Sequence, residues 1–190
     1  MTGDITKSAL SLAGQDGRIL PFKTTWGQSS LIYTPEPFVV YRVILPGAES
    51  DIISASRDEK FNHHPAAIRV KAVLTDFFNG RRPDTIPENW LSWTQLTPKE
   101  QAILDVVRRI AYGETSTYGE VAETAGFPRG ARFAGNALNK NPFPVIIPCH
   151  RVIRADGSIG GFGGGCEMKR KMIAMEAATL QKGSGIQGAG

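Results

Sequence analysis

Two runs near the start of the chain, Ser29–Thr34 (SSLIYT) and Phe38–Leu45 (FVVYRVIL), are dense in aromatic and β-branched residues. They predict strands. Pro35 and Pro37 separate them and Pro46-Gly47 closes the second. Between Pro65 and Asn79 the period changes. Val70, Val73, Leu74, Phe77 and Phe78 recur at helical spacing, and Gly80 supplies a stop. Residues 81–87 (RRPDTIP) have no period and read as a linker, which puts a domain boundary within 80–95. A new helix starts at Thr97-Pro98-Lys99-Glu100, a capping box with proline at the first helical position. Its apolar stripe is Ile103, Val106, Val107 and Ile110, and Gly113 is its expected end. Thr117 and Glu120 have the spacing of a second capping box, for a short helix to about Ala125. Gly126-Phe127-Pro128 breaks the pattern before another helix, from Arg129 to Asn139. A last helix is expected from Glu167 to Leu180, with Met168, Met172, Met175 and Thr179 on its less polar face. The fold class read from this is α/β: an N-terminal α/β domain with a small sheet plus a mostly helical C-terminal domain carrying a helix-turn-helix. The expected bounds are 1–90 for the first domain and linker, 91–180 for the second, and 181–190 for a flexible tail.

The helix over 129–139 has two unlike sides. Arg129, Arg132, Asn136 and Lys140 share one face, and Ala131, Ala134 and Leu138 another. Gly130, Ala131, Ala134, Gly135 and Ala137 make it thin, so its backbone can come close to whatever it packs on. Small residues serve helix packing equally well, but the basic side favours a phosphate backbone. Charge distribution agrees. The 190 residues carry 22 Lys and Arg against 18 Asp and Glu, for a net +4. Residues 1–93 hold 10 basic and 10 acidic residues, and residues 94–190 hold 12 and 8, so the whole excess lies in the second half. An anionic partner, nucleic acid first, is the reading this suggests.

The remaining composition mainly excludes. With 41% hydrophobic and 21% charged residues the chain is neither disordered nor fibrous. No apolar stretch approaches the roughly 18 residues of a membrane helix, and residues 1–14 lack a signal-peptide pattern. Two cysteines are too few for a disulfide scaffold. The expected setting is a reducing cytoplasm (the nucleus in a eukaryote), with no membrane partner.

The chemistry-bearing segment is Asn141 to Arg151 (NPFPVIIPCHR). Asn141, Phe143 and Ile147 each precede proline and are pushed toward extended geometry. Val145–Ile147 is therefore expected as a short buried strand that delivers Cys149. His150 and Arg151 follow directly, and adjacent positive charge lowers a thiol pKa. The alternative is a small buried hydrophobe. Glu176 borders the apolar face of the last helix and would need a partner there, for which His150 is suited. The cluster Lys169 to Lys171 is expected to face solvent. The glycine-rich loop Gly160–Gly165 matches neither a Walker A loop nor a dinucleotide fingerprint. His63-His64 reads as a loop pair rather than a metal site, and Cys166 as a bystander.

The segment Tyr118–Arg151 (YGEVAETAGFPRGARFAGNALNKNPFPVIIPCHR), with Gly157, Gly164-Gly165 and Glu176, resembles the 6-O-methylguanine-DNA methyltransferase family over about residues 97–180. The Ile-Pro-Cys-His-Arg-Val run within that spacing is highly specific. The N-terminal half is compatible in position and size with that family's variable α/β domain. The resemblance implies a monomeric repair protein that binds double-stranded DNA through the minor groove. It would flip out 6-O-alkylguanine and move the alkyl group to its own cysteine in one turnover, with no cofactor and no metal. Cys149 matches the acceptor, His150 the residue that activates it through a water, and Glu176 the carboxylate that orients the histidine. Asn141 matches the asparagine that supports the active-site segment. Tyr118 matches the tyrosine at the flipped nucleotide, and Arg132 the arginine that fills the vacated stack. Gly119, Arg129 and Asn136 are further expected DNA contacts. Val152, Phe162 and Gly163 are expected substrate contacts. Phe162 and Gly163 depart from the family, whose members usually have tyrosine and sometimes serine there. Two readings stand beside this one. One is a lesion-sensing or regulatory DNA-binding module, whose members usually carry tryptophan at the Cys149 position. The other is a thiol hydrolase.

Overall fold

The computed structural model describes residues 10–47 and 64–184. The chain divides into two compact units, residues 1–79 with 83–93, and residues 80–82 with 94–190.

In the first unit, β1 (Arg18–Thr24), β2 (Gly27–Pro35) and β3 (Phe38–Ile44) form an antiparallel sheet in that order. The β1–β2 hairpin pairs Thr24 with Gly27, where φ is 124°, a value that favours glycine. Neither strand pattern above predicts β1. Pro21 interrupts it, which an edge strand tolerates because one side of its backbone needs no ladder partner. Helix α1 (Pro65–Phe78) packs on β1 and β2. Its cap is His64, whose side chain accepts from the Ala66 amide. That gives His64 a structural role; His63 lies outside the described residues. Leu31, Tyr33, Val40, Val70, Leu74 and Phe77 have no exposed surface, and Ile32, equally buried, packs with Ala13 and Ile44 in a second cluster.

In the second unit, α2 (Pro98–Arg108) begins with the expected capping box: the Thr97 amide donates to Glu100 and the Glu100 amide to the Thr97 hydroxyl. The helix ends at Arg108 rather than at Gly113, and Leu104 takes the buried position expected of Val106. The second capping box, Thr117 with Glu120, starts α3 (Tyr118–Thr124). Helix α4 is shorter than expected, Ala131–Asn139. Arg129 has a φ of 62° and belongs to the turn before it. Gly130 is required at the cap, because a Cβ there would lie 2.6 Å from the Phe127 carbonyl oxygen. Helices α3 and α4 pack together, and α2 packs on both. Two short strands, β4 (Ser116–Thr117) and β5 (Val152–Ile153), pair in parallel. That pairing ties the entry of α3 to the exit of the cysteine segment. Helix α5 (Cys166–Ser184) closes the unit. Residues 181–184, expected in a tail, continue it; residues 185–190 lie outside the described residues.

Candidate functional site

The expected strand over Val145–Ile147 is a tight turn instead. Val145 has a φ of 76°, and the Ile147 amide donates to the Phe143 carbonyl at 2.8 Å. The Asn141 side chain takes the place of a ladder partner. Its Oδ1 accepts from the Phe143 amide at 2.9 Å, and its Nδ2 donates to the Ile147 carbonyl at 2.9 Å. These local side-chain bonds outcompete strand pairing. Nδ2 also reaches Cys149 Sγ at 3.1 Å. One amide thus shapes the turn and holds the thiol. Cys149 opens a single 3₁₀ turn, Cys149–Arg151, which β5 follows.

Cys149 is 7% exposed. Burial pushes its thiol pKa up, with the Asn141 hydrogen bond and the Lys169 charge acting the other way. This corrects the expectation of a thiol activated by its two basic neighbours in sequence. Both neighbours are committed to Glu176. His150 Nε2 lies 2.8 Å from Glu176 Oε1, and neither side chain is more than 1% exposed. Arg151 donates through Nε and Nη2 to the same carboxylate at 2.9–3.2 Å, and through Nη1 to the Ile110 carbonyl at 2.7 Å. The Gly113 amide adds a donor at 2.8 Å. Burial would raise the Glu176 pKa, but the bonds from His150 and Arg151 hold it below the usual carboxylate value. A charged carboxylate only accepts, so His150 Nε2 carries the proton and Nδ1 is the basic nitrogen of the ring. Burial lowers the His150 pKa against the pull of Glu176, which favours that neutral ring.

Lys169 is the residue that sequence reasoning misplaced. It is fully buried rather than solvent-facing. Its Nζ donates to the Val152 carbonyl, to the Gly161 carbonyl at 3.3 Å and to Tyr118 Oη at 3.4 Å, and it lies 5.5 Å from the centre of the Tyr118 ring. Burial lowers its pKa and the nearby Cys149 opposes that. The signal was present in the spacing, since Lys169, Met172 and Glu176 share one helical face. Tyr118, the first residue of α3, sits between this ammonium and the glycine loop. Burial and Cys149 raise its pKa, against Arg154. The loop must be glycine beneath the ring, because a Cβ on Gly160 would lie 2.3 Å from Tyr118 Oη.

A cavity of about 770 Å³ opens beside Tyr118. Gly119, Arg132 and Asn136 line it from α3 and α4, and Arg154, Gly160 and Gly161 from the segment after β5. The structure therefore brings Tyr118, Gly119, Arg132 and Asn136 to one cavity, and forms two hydrogen-bonded pairs on neighbouring chain positions, Asn141 with Cys149 and His150 with Glu176. Five further positions lie outside this cavity and these pairs. Arg129 lies in the left-handed turn and Lys140 is paired with Glu100, so the four-residue basic face is reduced to Arg132 and Asn136. The Val152 carbonyl is engaged by Lys169. Phe162 turns its ring edge to His150 at 6.4 Å, and a Cβ on Gly163 would meet open space. Among the described residues no group of three or more His, Cys, Asp and Glu side chains could hold a metal ion.

A buried thiol held by an amide, with a carboxylate-held imidazole beside it in the chain, defines a protein organised around a single cysteine on a helical scaffold. Residues 98–178 match the family model of the 6-O-methylguanine DNA methyltransferase DNA-binding domain. It is 48% identical over 85 residues to the methylated-DNA–protein-cysteine methyltransferase of Methanothermobacter thermautotrophicus, across 45% of this chain and 47% of that protein. It is 46% identical over 114 residues to the protein of that name from Haemophilus influenzae, across 59% of this chain and 62% of that one. The matches thus span about half to three fifths of these relatives' length. The Mycobacterium tuberculosis O6-methylguanine methyltransferase superposes with a TM-score of 0.68 at 27% identity, over 86% of this chain and 94% of its own. The M. tuberculosis OGT structure in complex with DNA gives 0.67 at 27% identity, over 85% and 94%.

Proposed function

We propose that this protein repairs DNA by moving the alkyl group of a 6-O-alkylguanine to Cys149, once per molecule. The observation that carries the reading is the Asn141–Cys149 hydrogen bond set beside the buried His150–Glu176 pair, in the unit that matches the family. The relatives' names and the DNA complex of the mycobacterial neighbour support DNA as the partner. The minor-groove approach rests on the thin helix α4, whose small residues permit close backbone contact, and the alkylguanine specificity on the name of the mycobacterial neighbour, an O6-methylguanine methyltransferase. Chemistry on a base inside a duplex requires extrusion of that base, and Arg132 is the side chain assigned to the vacated stack.

The thiol proton passes to His150 through a water, with Glu176 holding the imidazolium that forms. Sγ attacks the alkyl carbon, and the C–O6 bond breaks with its electron pair moving into the purine. A proton supplied through Tyr118 neutralises the departing guanine and is replaced from His150, so thiol and alkylguanine become thioether and guanine. Lys169 stabilises the two negative charges that arise, on Sγ and at Tyr118 Oη, and its own bonds fix both the loop and the ring. A resting thiol with a raised pKa suits this: the nucleophile forms only when proton acceptor and substrate are in place. A thioether has no easy hydrolytic exit, so the protein is spent. Such a protein works where the DNA is, in the cytoplasm or in a nucleus.

Intact mass after incubation with duplex DNA containing 6-O-methylguanine tests this. One added methyl, mapped to Cys149 and absent in Cys149→Ala, is expected. Repeated turnover, or methyl on Cys166, overturns the mechanism. An unmodified Cys149 with tight lesion binding favours the sensing module instead.

A further inference from the structure

Arg132 and Arg154 are the two basic side chains that line the cavity, and the chain segments that carry them are unrelated. Arg132 is on α4. Arg154 follows β5, in a segment fixed from within. Its amide donates to the Ser158 carbonyl at 3.0 Å, and the Gly157 amide donates to the Arg154 carbonyl at 2.9 Å. Gly157 supplies a φ of 78° that closes the turn. The backbone under Arg154 is therefore set, while its guanidinium is exposed and touches only Ser158 Oγ, at 3.4 Å. The acidic residue of the turn, Asp156, is held by Ser158, whose amide donates to it at 2.9 Å. Among the described residues Arg154 forms no salt bridge, in contrast to Arg108, Arg109, Arg151 and Arg170. A guanidinium on a rigid mount, with the Asp156 charge nearby but no carboxylate in salt-bridge contact, beside a cavity, has the geometry of a phosphate receptor: its planar fork matches two oxygens, and little order has to be gained on binding.

We propose that Arg154 grips a DNA phosphate at the edge of the cavity, a second anchor independent of α4. The two arginines then divide the work. Arg132 acts on the base stack, and Arg154 holds the backbone while the nucleotide turns into the cavity. The electrostatic reach of Arg154 to Tyr118 and Lys169 puts its charge close to the reacting groups. This assignment rests on the DNA-repair reading above.

The test compares wild type, Arg154→Ala and Arg154→Lys on a duplex containing 6-O-methylguanine, by binding over a salt series and by single-turnover methyl transfer, with the free base 6-O-methylguanine as second substrate. Loss of one phosphate contact lowers the slope of log affinity against log salt by about 0.9. That decrease is expected in Arg154→Ala, and the lysine variant should keep most of the slope. Transfer by Arg154→Ala should fall more on the duplex than on the free base. An unchanged salt slope overturns the assignment, and so does an equal loss on both substrates, which would place Arg154 in the chemistry. If wild type methylates Cys149 while the slopes agree, only the anchor fails. If wild type binds but never methylates Cys149, the repair reading fails and the slopes still report on the anchor.

Discussion

Among the described residues of the N-terminal unit the buried side chains are aliphatic, aromatic or neutral and polar, from Leu31 and Phe77 to Ser29 and Thr34. In the C-terminal unit Glu100, His150, Arg151, Lys169 and Glu176 are buried as well. A sheet and a helix close mainly on apolar surface, and each buried methylene helps. A buried charge costs free energy unless its partners are arranged for it. The first unit is thus built for burial, and the second gives up part of that benefit to hold a set of paired charged groups and a thiol.

Glu176→Gln should break that contrast most. It leaves Arg151 without its anion and His150 with a neutral acceptor that no longer stabilises an imidazolium. Removing one member of a buried pair costs about 3–5 kcal/mol, and losing the base function slows methyl transfer by about 10²–10⁴. The helical circular-dichroism transition reports mainly the C-terminal unit, where most of the helix lies. Trp26, Trp90 and Trp93 all belong to the N-terminal unit, so tryptophan fluorescence reads the other. The first signal should move and the second should not.

Phe77→Ala is the converse. It empties a fully buried site on α1 and should cost about 3–5 kcal/mol. The tryptophan transition moves, and the transfer rate of the folded protein at 25 °C does not.

Lys169→Met should separate stability from chemistry within the second unit. An unbranched apolar chain fills the space, so urea stability holds or rises. Transfer should slow about tenfold or more, since about 1.4 kcal/mol of lost charge stabilisation is tenfold. Without the ammonium the Cys149 thiol ionises less readily, and the rising limb of the pH–rate profile should move to higher pH. An unmoved limb would leave Lys169 a purely structural role.

The smallest effect is that of pH. Burial lowers the His150 pKa, and its partners hold that of Glu176 low. For both groups the unfolded chain takes up the proton first as pH falls. Their contribution is present above the unfolded values, about 6.5 and 4.3, and is lost as pH drops through the folded ones. Urea unfolding from pH 7 to pH 4 should show the circular-dichroism midpoint falling ahead of the tryptophan midpoint. Parallel decline would show that the charged cluster is not what makes the second unit acid-sensitive.

What could be read in advance follows the range of the determining interaction. Both capping boxes were legible because each closes over three residues. The run from Tyr118 to Arg151 and Glu176 was specific enough for the cysteine, histidine and carboxylate to be named together. Strand β1 was hidden by Pro21, which only its edge position permits. The Val145 turn was hidden because proline rules act on neighbours, whereas the Asn141 amide acts across six residues, to the Ile147 carbonyl. Lys169 was misread because lysine at a helix start is ordinarily solvated. Its acceptors, Val152 and Gly161, come from segments that only the fold brings together.

The Thr117–Glu120 cap has a consequence beyond helix stability. It fixes where α3 begins, and the first residue of that helix is Tyr118, whose ring stands over Gly160 and against Lys169. Glu120 itself lies on the surface, whereas Cys149, His150 and Glu176 are buried. A substitution there would loosen the mounting of the ring without touching any buried group. The reactivity of the interior can in this way be adjusted from the outside of the molecule, by residues that look like ordinary solvated polar side chains.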